Sequence, residues 1–230
     1  MDDLEKKFFL IIKSNYFALS VINEDSKILL NEEFFHDNSE DYSISLIKFL
    51  DDKIFTVEKE FNFYIKDIYL IIEDKNFIKF NLSLIKDFKN TFNDTNIVLS
   101  EISNIKESIL KSNSDFQLLH MMINRFIIDE KDYLELPNKK NLKNLFLEIK
   151  FICLRIERLI SLKKTLSKYQ INIKKTFNYE YVKSFRIDDL EHISLVANKL
   201  DKGLNKNEIN FVEKNSKSIG FFEKFFKFFG

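Results

Sequence analysis

Glycine is nearly missing from this chain: three residues in 230, at Gly203, Gly220 and Gly230, with none in the first two hundred positions. Loops that wrap a phosphate with backbone N–H groups need positive φ and close backbone approach, both of which glycine supplies. A nucleotide-phosphate site is therefore not expected. The single cysteine, Cys153, excludes an internal disulfide and fits a reducing compartment. Beside Ile152 in an apolar run, it reads as a small buried hydrophobe and not as a nucleophile. Tryptophan is absent and proline occurs once, at Pro137. The three histidines, His36, His120 and His192, are too scattered for metal-ligand spacing. His120, at the start of a strand, reads as a structural histidine with its own partner. Nor is there an excess of charge: Lys+Arg and Asp+Glu stand at 36 each, so no net field draws the chain to nucleic acid. The first residues, Met1-Asp2-Asp3-Leu4-Glu5, are acidic where a secretory leader is basic, and the apolar run from Phe8 to Ile12 is too short for one, so a protein kept inside the cell is expected. No motif sets a serine, a histidine and an acid together. Glu32-Glu33 and Asp51-Asp52 read as solvated faces and not as an acid and base pair. Catalysis, a metal and a cofactor are all outside the expectation.

Phenylalanine, by contrast, is abundant at 26 residues, alongside much Ile, Lys and Asn, a composition in keeping with codons rich in adenine and thymine. Six of these phenylalanines crowd into the final stretch, Gly220-Phe-Phe-Glu-Lys-Phe-Phe-Lys-Phe-Phe-Gly230. Wound as a helix, Phe221, Phe222, Phe225, Phe226, Phe228 and Phe229 occupy an arc of roughly 160°, with Glu223, Lys224 and Lys227 opposite. A spanning helix needs about 20 apolar residues, so this one would lie in the interface, its Lys224 and Lys227 toward anionic headgroups. A terminal helix docked on the chain's own core, or in a partner's groove, is the other reading.

Along the chain, Phe8–Ile22 and Lys27–Phe35 read as a hairpin about Asn23-Glu24-Asp25-Ser26. The spacing of Ile44, Ile47, Ile54, Val57 and Phe61 predicts a helix from about Ser43 to Phe63, with a strand pair as the alternative. Strands follow at Ile68–Glu73 and Asn76–Phe88, then a helix opening near Ser100 with Ile102, Ile105 and Ile109 inward. Leu118–Asp129 and Leu145–Leu154 are further strands; Leu145, Leu147, Ile149, Phe151 and Cys153 share a face. Ile156, Leu159, Ile160, Lys163 and Leu166 predict a helix packed on that strand, burying Ile149, Phe151, Leu159 and Leu166 together, before a strand at Ile171–Ile173. Asp188 with Glu191 resembles a capping box for a helix through Leu190, Ile193, Val196, Ala197 and Leu200, ended by Gly203. Lys206–Ser218 is polar and reads as a tether.

Within this order, Leu119-His120, Ile128-Asp129-Glu130, Leu136-Pro137, the strand Asn144–Cys153 and the helix Ser161–Ile171 resemble the inserted subdomain 1C of the bacterial cell-division protein FtsA, an actin-like family. Ile68–Glu73 is similar to the strand that opens that insert, Ser100–Lys111 to its first helix, Phe8–Phe35 to the first hairpin of the actin fold, and the Phe-rich end to the family's membrane-targeting helix. Ile12-Lys13-Ser14-Asn15 stands where the family carries Asp-x-Gly-Ser/Thr, and nothing after Phe185 matches the second phosphate loop or the FtsZ-binding subdomain.

The resemblance implies an α+β fold, an antiparallel sheet with packed helices inserted in an actin-like body. Its expected divisions are a reduced hairpin-plus-helix remnant over 1–65, the insert over 66–185, a helix over 186–204, a flexible linker over 205–219 and the amphipathic helix over 220–230. It implies a non-catalytic protein held peripherally at the cytoplasmic face of the inner membrane, at midcell if it acts in division, with anionic lipid and either divisome proteins or FtsA-like self-association as partners and no direct contact with FtsZ or nucleic acid. A PilM-like or secretion-platform scaffold is the alternative, and an actin-like ATPase the alternative of another class.

Overall fold

The computed structural model describes residues 6–36, 41–92, 96–112, 114–135 and 142–209. Over these it is α+β, with two sheets and five helices. The described residues form two compact units, those within 1–76 with 157–202, and those within 77–156 with 203–209.

The first unit is built on a five-stranded sheet. Strands β1 (Lys7–Lys13), β2 (Tyr16–Ile22) and β3 (Ile28–Phe35) form an antiparallel meander. β4 (Asp67–Ile72) lies parallel to β1, and a last strand, Asn172–Asn178, lies parallel to β4. Phe8–Ile12, Phe17–Ile22 and Ile68–Ile72 are buried without a break, the pattern of strands covered on both faces. Alternation along β1 and β2 separates the two faces. Phe17 meets Phe49 of α1 (Tyr42–Phe61) at a ring separation of 5.9 Å, while Phe9 stacks on Tyr69, whose hydroxyl donates to Asp201 on the opposite face. This continuous burial explains a correction. Phe8–Ile22 is not one strand but two, broken at Ser14-Asn15 with Lys13 paired to Tyr16, because neither side of that two-residue turn shows a change in hydropathy. The helix prediction for 43–63 holds, starting one residue earlier and ending two earlier: Asp41 caps it, accepting from the Ser43 and Ile44 N–H groups at 2.7 and 3.2 Å.

The inserted unit has a four-stranded antiparallel sheet of β5 (Ile78–Phe92), β6 (Phe116–Ile128), β7 (Lys131–Tyr133) and β8 (Leu142–Arg155), in the order β5-β8-β6-β7. Helix α2 (Asn96–Ser112) covers one face, with Val98 and Ile102 buried against Leu145, Leu147, Ile149, Phe151 and Cys153. That shared strand face is the expected one. The helix begins four residues before Ser100, which therefore does not cap it.

Three expectations fail at the return to the first unit. Helix α3 (Ile156–Ser167) has its inward face at Leu162 and Leu166, while Ile160 is 57% exposed, and almost all of it belongs to the first unit. Leu166 thus shares no core with Ile149 and Phe151. The strand after it, β9 (Asn172–Asn178), completes the five-stranded sheet instead of closing the insert, a long-range parallel pairing with no local signal. Asp188 does not open a helix: its carboxylate takes the Leu190 and Glu191 N–H groups in a turn that leaves Leu190 94% exposed. A short α4 (Tyr179–Lys183), unforeseen, precedes it, and α5 (Ile193–Asp201) starts from His192. Gly203 follows with φ +91°, as a C′ glycine should.

Residues 205–209 are no free tether. Ile123 N–H donates to Asn207 O at 3.0 Å and Ile209 N–H to Met121 O at 2.8 Å, so this segment runs antiparallel along β6. Glu208, 4% exposed, sits 2.6 Å from Nδ1 of the fully buried His120. A polar composition suggested solvent; a carboxylate buried beside an imidazole offsets its desolvation instead.

Candidate functional site

Phe221, Phe222, Lys224, Phe225, Phe226, Lys227, Phe228 and Phe229 lie outside the described residues. Within them, the first unit carries a cleft of about 380 Å³ beside the β1–β2 turn, lined by charged and aromatic side chains. Lys13 ends β1, Asn15 comes from the turn and Tyr16 from β2. Glu33 and Phe35 come from β3, Tyr179 from α4, and Arg186 and His192 from the loop before α5.

Its cations are engaged within the chain. The Lys13 ammonium lies 4.5 Å from the centre of the Tyr179 ring and 4.0 Å from a Glu73 oxygen. Arg186 Nε donates to the Glu191 carbonyl at 2.6 Å. Tyr16 packs on Phe35 with ring centres 5.0 Å apart. Burial, then the nearby Glu33 carboxylate, pushes the Tyr16 hydroxyl well above its ordinary pKa, so it stays protonated. Burial likewise holds the His192 imidazole below its ordinary value; Arg186 adds to this and Glu33 opposes it. A neutral ring is what its position requires, since Nδ1 faces the Ser194 hydroxyl at 2.6 Å and accepts the Ser194 N–H at 3.4 Å, capping α5.

The other singled-out residues are dispersed. His36 stacks on Phe17 at 4.6 Å, and His120 holds Glu208. Glu32 and Asp52, from two separate acidic pairs, meet at Lys53 at 2.9 and 3.1 Å, and Asp51 accepts from Tyr169 at 2.6 Å. Cys153 is buried, and that burial raises its thiol pKa to about 11. Sequence reasoning missed the gathering of Lys13, Tyr16, Tyr179, Arg186 and His192, which depends on β9 returning beside β4; the one local trace was Lys13-Ser14-Asn15 in place of a glycine loop.

The inserted unit offers a different kind of surface. β5 is paired only with β8 among the described residues, and its outward positions Asn81, Ser83 and Ile85 are exposed, Ile85 at 71%. An edge strand this long is a template for strand addition.

No family model matches this sequence, and no curated protein does. Solved structures do. The PilM-PilN type IV pilus biogenesis complex aligns at TM-score 0.49 and 8% identity, over 76% of this chain and 48% of that one. A Bacteroides thetaiotaomicron protein with an actin-like ATPase fold aligns at 0.36 and 11%, over 80% and 58%. The cytoplasmic domain of EpsL, an inner-membrane component of the Vibrio cholerae type II secretion system, aligns at 0.38 and 7%, over 80% and 59%. The chain thus spans about half to three fifths of the length of these neighbours. Among the described residues, no helix is long and apolar enough to cross a membrane.

Proposed function

We propose that this protein is a non-catalytic scaffold that its Phe-rich C-terminal segment holds at a membrane face, with the inserted sheet presented to protein partners. The observation that carries the non-catalytic part is the state of the cleft. A site that grips a nucleotide offers free backbone N–H groups and cations to its phosphates. Here the equivalent turn is a tight two-residue reversal, Lys13 lies against Tyr179 and Glu73, and Arg186 is tied to the Glu191 carbonyl. The membrane part rests on the chemistry of Phe221 to Phe229 with Lys224 and Lys227. A pilus or secretion platform and a division complex are both assemblies such a scaffold would serve, and the site of a fluorescent fusion, dispersed foci or midcell, separates them.

Two measurements test the reading. Melting curves with and without millimolar Mg-ATP should coincide, since a ligand bound only to the native state must raise its stability; a clear upward shift would revive an actin-like ATPase. Co-sedimentation with anionic vesicles should require residues 220–230, and sedimentation unchanged by their deletion would end the membrane reading.

A further inference from the structure

An apolar groove of about 300 Å³ opens at one end of the inserted unit. It is lined by Ile78 and Phe80 of β5, Ile109 and Leu110 of α2, Phe116 and Leu118 of β6, and Cys153 of β8. Leu110 is 42% exposed and Ile78 is 39% exposed, so its rim is apolar as well as its floor. An open groove with an apolar floor and rim is a seat that apolar side chains can fill.

The direction of the chain indicates what covers it. Asn207 lies opposite Ile123 and Ile209 opposite Met121, so the chain at Ile209 heads toward Leu118 and Phe116, which line the groove. From Met121 to Phe116 along β6 is about 17 Å at the rise of a strand. From Ile209 to Phe221 are twelve residues, a reach of up to about 40 Å. The sequence that follows is the one most able to fill an apolar groove, six phenylalanines within nine residues. We propose that the Phe-rich segment 221–229 docks in cis in this groove when no membrane is present. The segment then has two alternative seats, its own inserted unit and the bilayer, and lipid binding uncovers the groove. This deepens the membrane reading given above and rests on it.

The test uses the full chain with Leu110→Cys, a rim position that is 42% exposed. Because Cys153 lines the same groove, every variant also carries Cys153→Ser, so that position 110 alone reports. Labelling of position 110 should rise several-fold when residues 220–230 are deleted, and as much in the full chain with Phe222→Glu and Phe226→Glu, which guards against an effect of truncation on folding. Anionic vesicles should give the same rise. Equal labelling rates for the full, truncated and doubly substituted chains would overturn the proposal. So would protection that grows with protein concentration, which assigns the groove to a second copy's segment. If vesicles neither sediment the protein nor change its labelling, yet deletion does, the membrane reading fails and cis docking stands.

Discussion

Removing the Glu208 carboxylate should loosen the inserted unit where the chain leaves it. Glu208 and His120 are 4% and 0% exposed and 2.6 Å apart, so Glu208→Ala takes one partner from a buried, charge-assisted contact. Deleting one partner of such a pair costs about 3 to 5 kcal/mol, whereas a neutral buried hydrogen bond costs about 1 to 3 kcal/mol. The two backbone hydrogen bonds that flank Glu208 remain in the variant, so we expect about 3 kcal/mol, or roughly two decades in the opening equilibrium. Glu208→Gln, which keeps an acceptor of the same shape, should lose less than half of this. A single melting curve mixes the two units, so the sharper assay is hydrogen exchange at the Ile123 and Ile209 amides, whose acceptors are Asn207 and Met121. Both should exchange about two decades faster in Glu208→Ala, with the amides of β1 and β4 unchanged. A change below about 0.5 kcal/mol at those two amides would show that the buried pair does not hold the segment on β6.

Other outcomes follow from the same structure. Leu166→Ala should cost about 2 to 5 kcal/mol in the first unit and leave exchange in β8 unaffected, since Leu166 and Phe151 belong to separate cores; equal loss in both would restore the packing that the sequence suggested. His192 carries a lowered pKa, so the stability that its neutral ring contributes as the cap of α5 is full above about pH 6.5 and declines as the pH falls from there toward the lower folded-state value; the first unit should melt lower at pH 5.5 than at pH 7.5, and His192→Asn should flatten the difference. In vesicle binding, Phe222→Glu with Phe226→Glu should remove affinity altogether, each phenylalanine contributing roughly 1.5 to 3 kcal/mol on burial. Lys224→Gln with Lys227→Gln should only weaken it, by about 1 kcal/mol for each lysine, as added salt does; a binding curve indifferent to the phenylalanines would refute this.

Elements whose signal is local were legible in the sequence. Helix α1 was found from the spacing of Ile44, Ile47, Ile54, Val57 and Phe61, of which Ile54 and Val57 do face inward, although Leu46, Phe49 and Leu50 complete the buried stripe and Ile44 is 55% exposed; β8 alternates at Leu145, Leu147, Ile149, Phe151 and Cys153. What escaped depends on distant partners. In β1 and β2 every residue between the ends is buried, so hydropathy could not mark the Ser14-Asn15 turn, and no glycine stood there to mark it instead. β9 alternates weakly, Asn172-Ile173-Lys174-Lys175, and only its alignment with β4 makes it a core strand. The cleft inherits that difficulty, because Tyr179, Arg186 and His192 reach Lys13 and Tyr16 only once β9 is in place. Glu208 was unreadable for another reason: its burial is decided by one histidine 88 positions earlier.

The pairing of Ile78 with Cys153 bears on how this architecture can be edited. The insert is entered through β5 and left through β8, neighbouring strands in which Ile78, the first residue of β5, faces Cys153, two residues before the end of β8. Asn76 and Glu157 lie two and four residues outside that rung, where the strands stand about 5 Å apart, so a short link is enough to join them. A short Gly-Ser link in place of residues 77–156 should leave β4 running into α3 with the five-stranded sheet intact, much as chains tolerate insertions where the two ends of the inserted piece lie close together. The body and the insert are in this sense exchangeable parts, and what an excised variant would lose is the strand edge on which residues 207–209 are fastened.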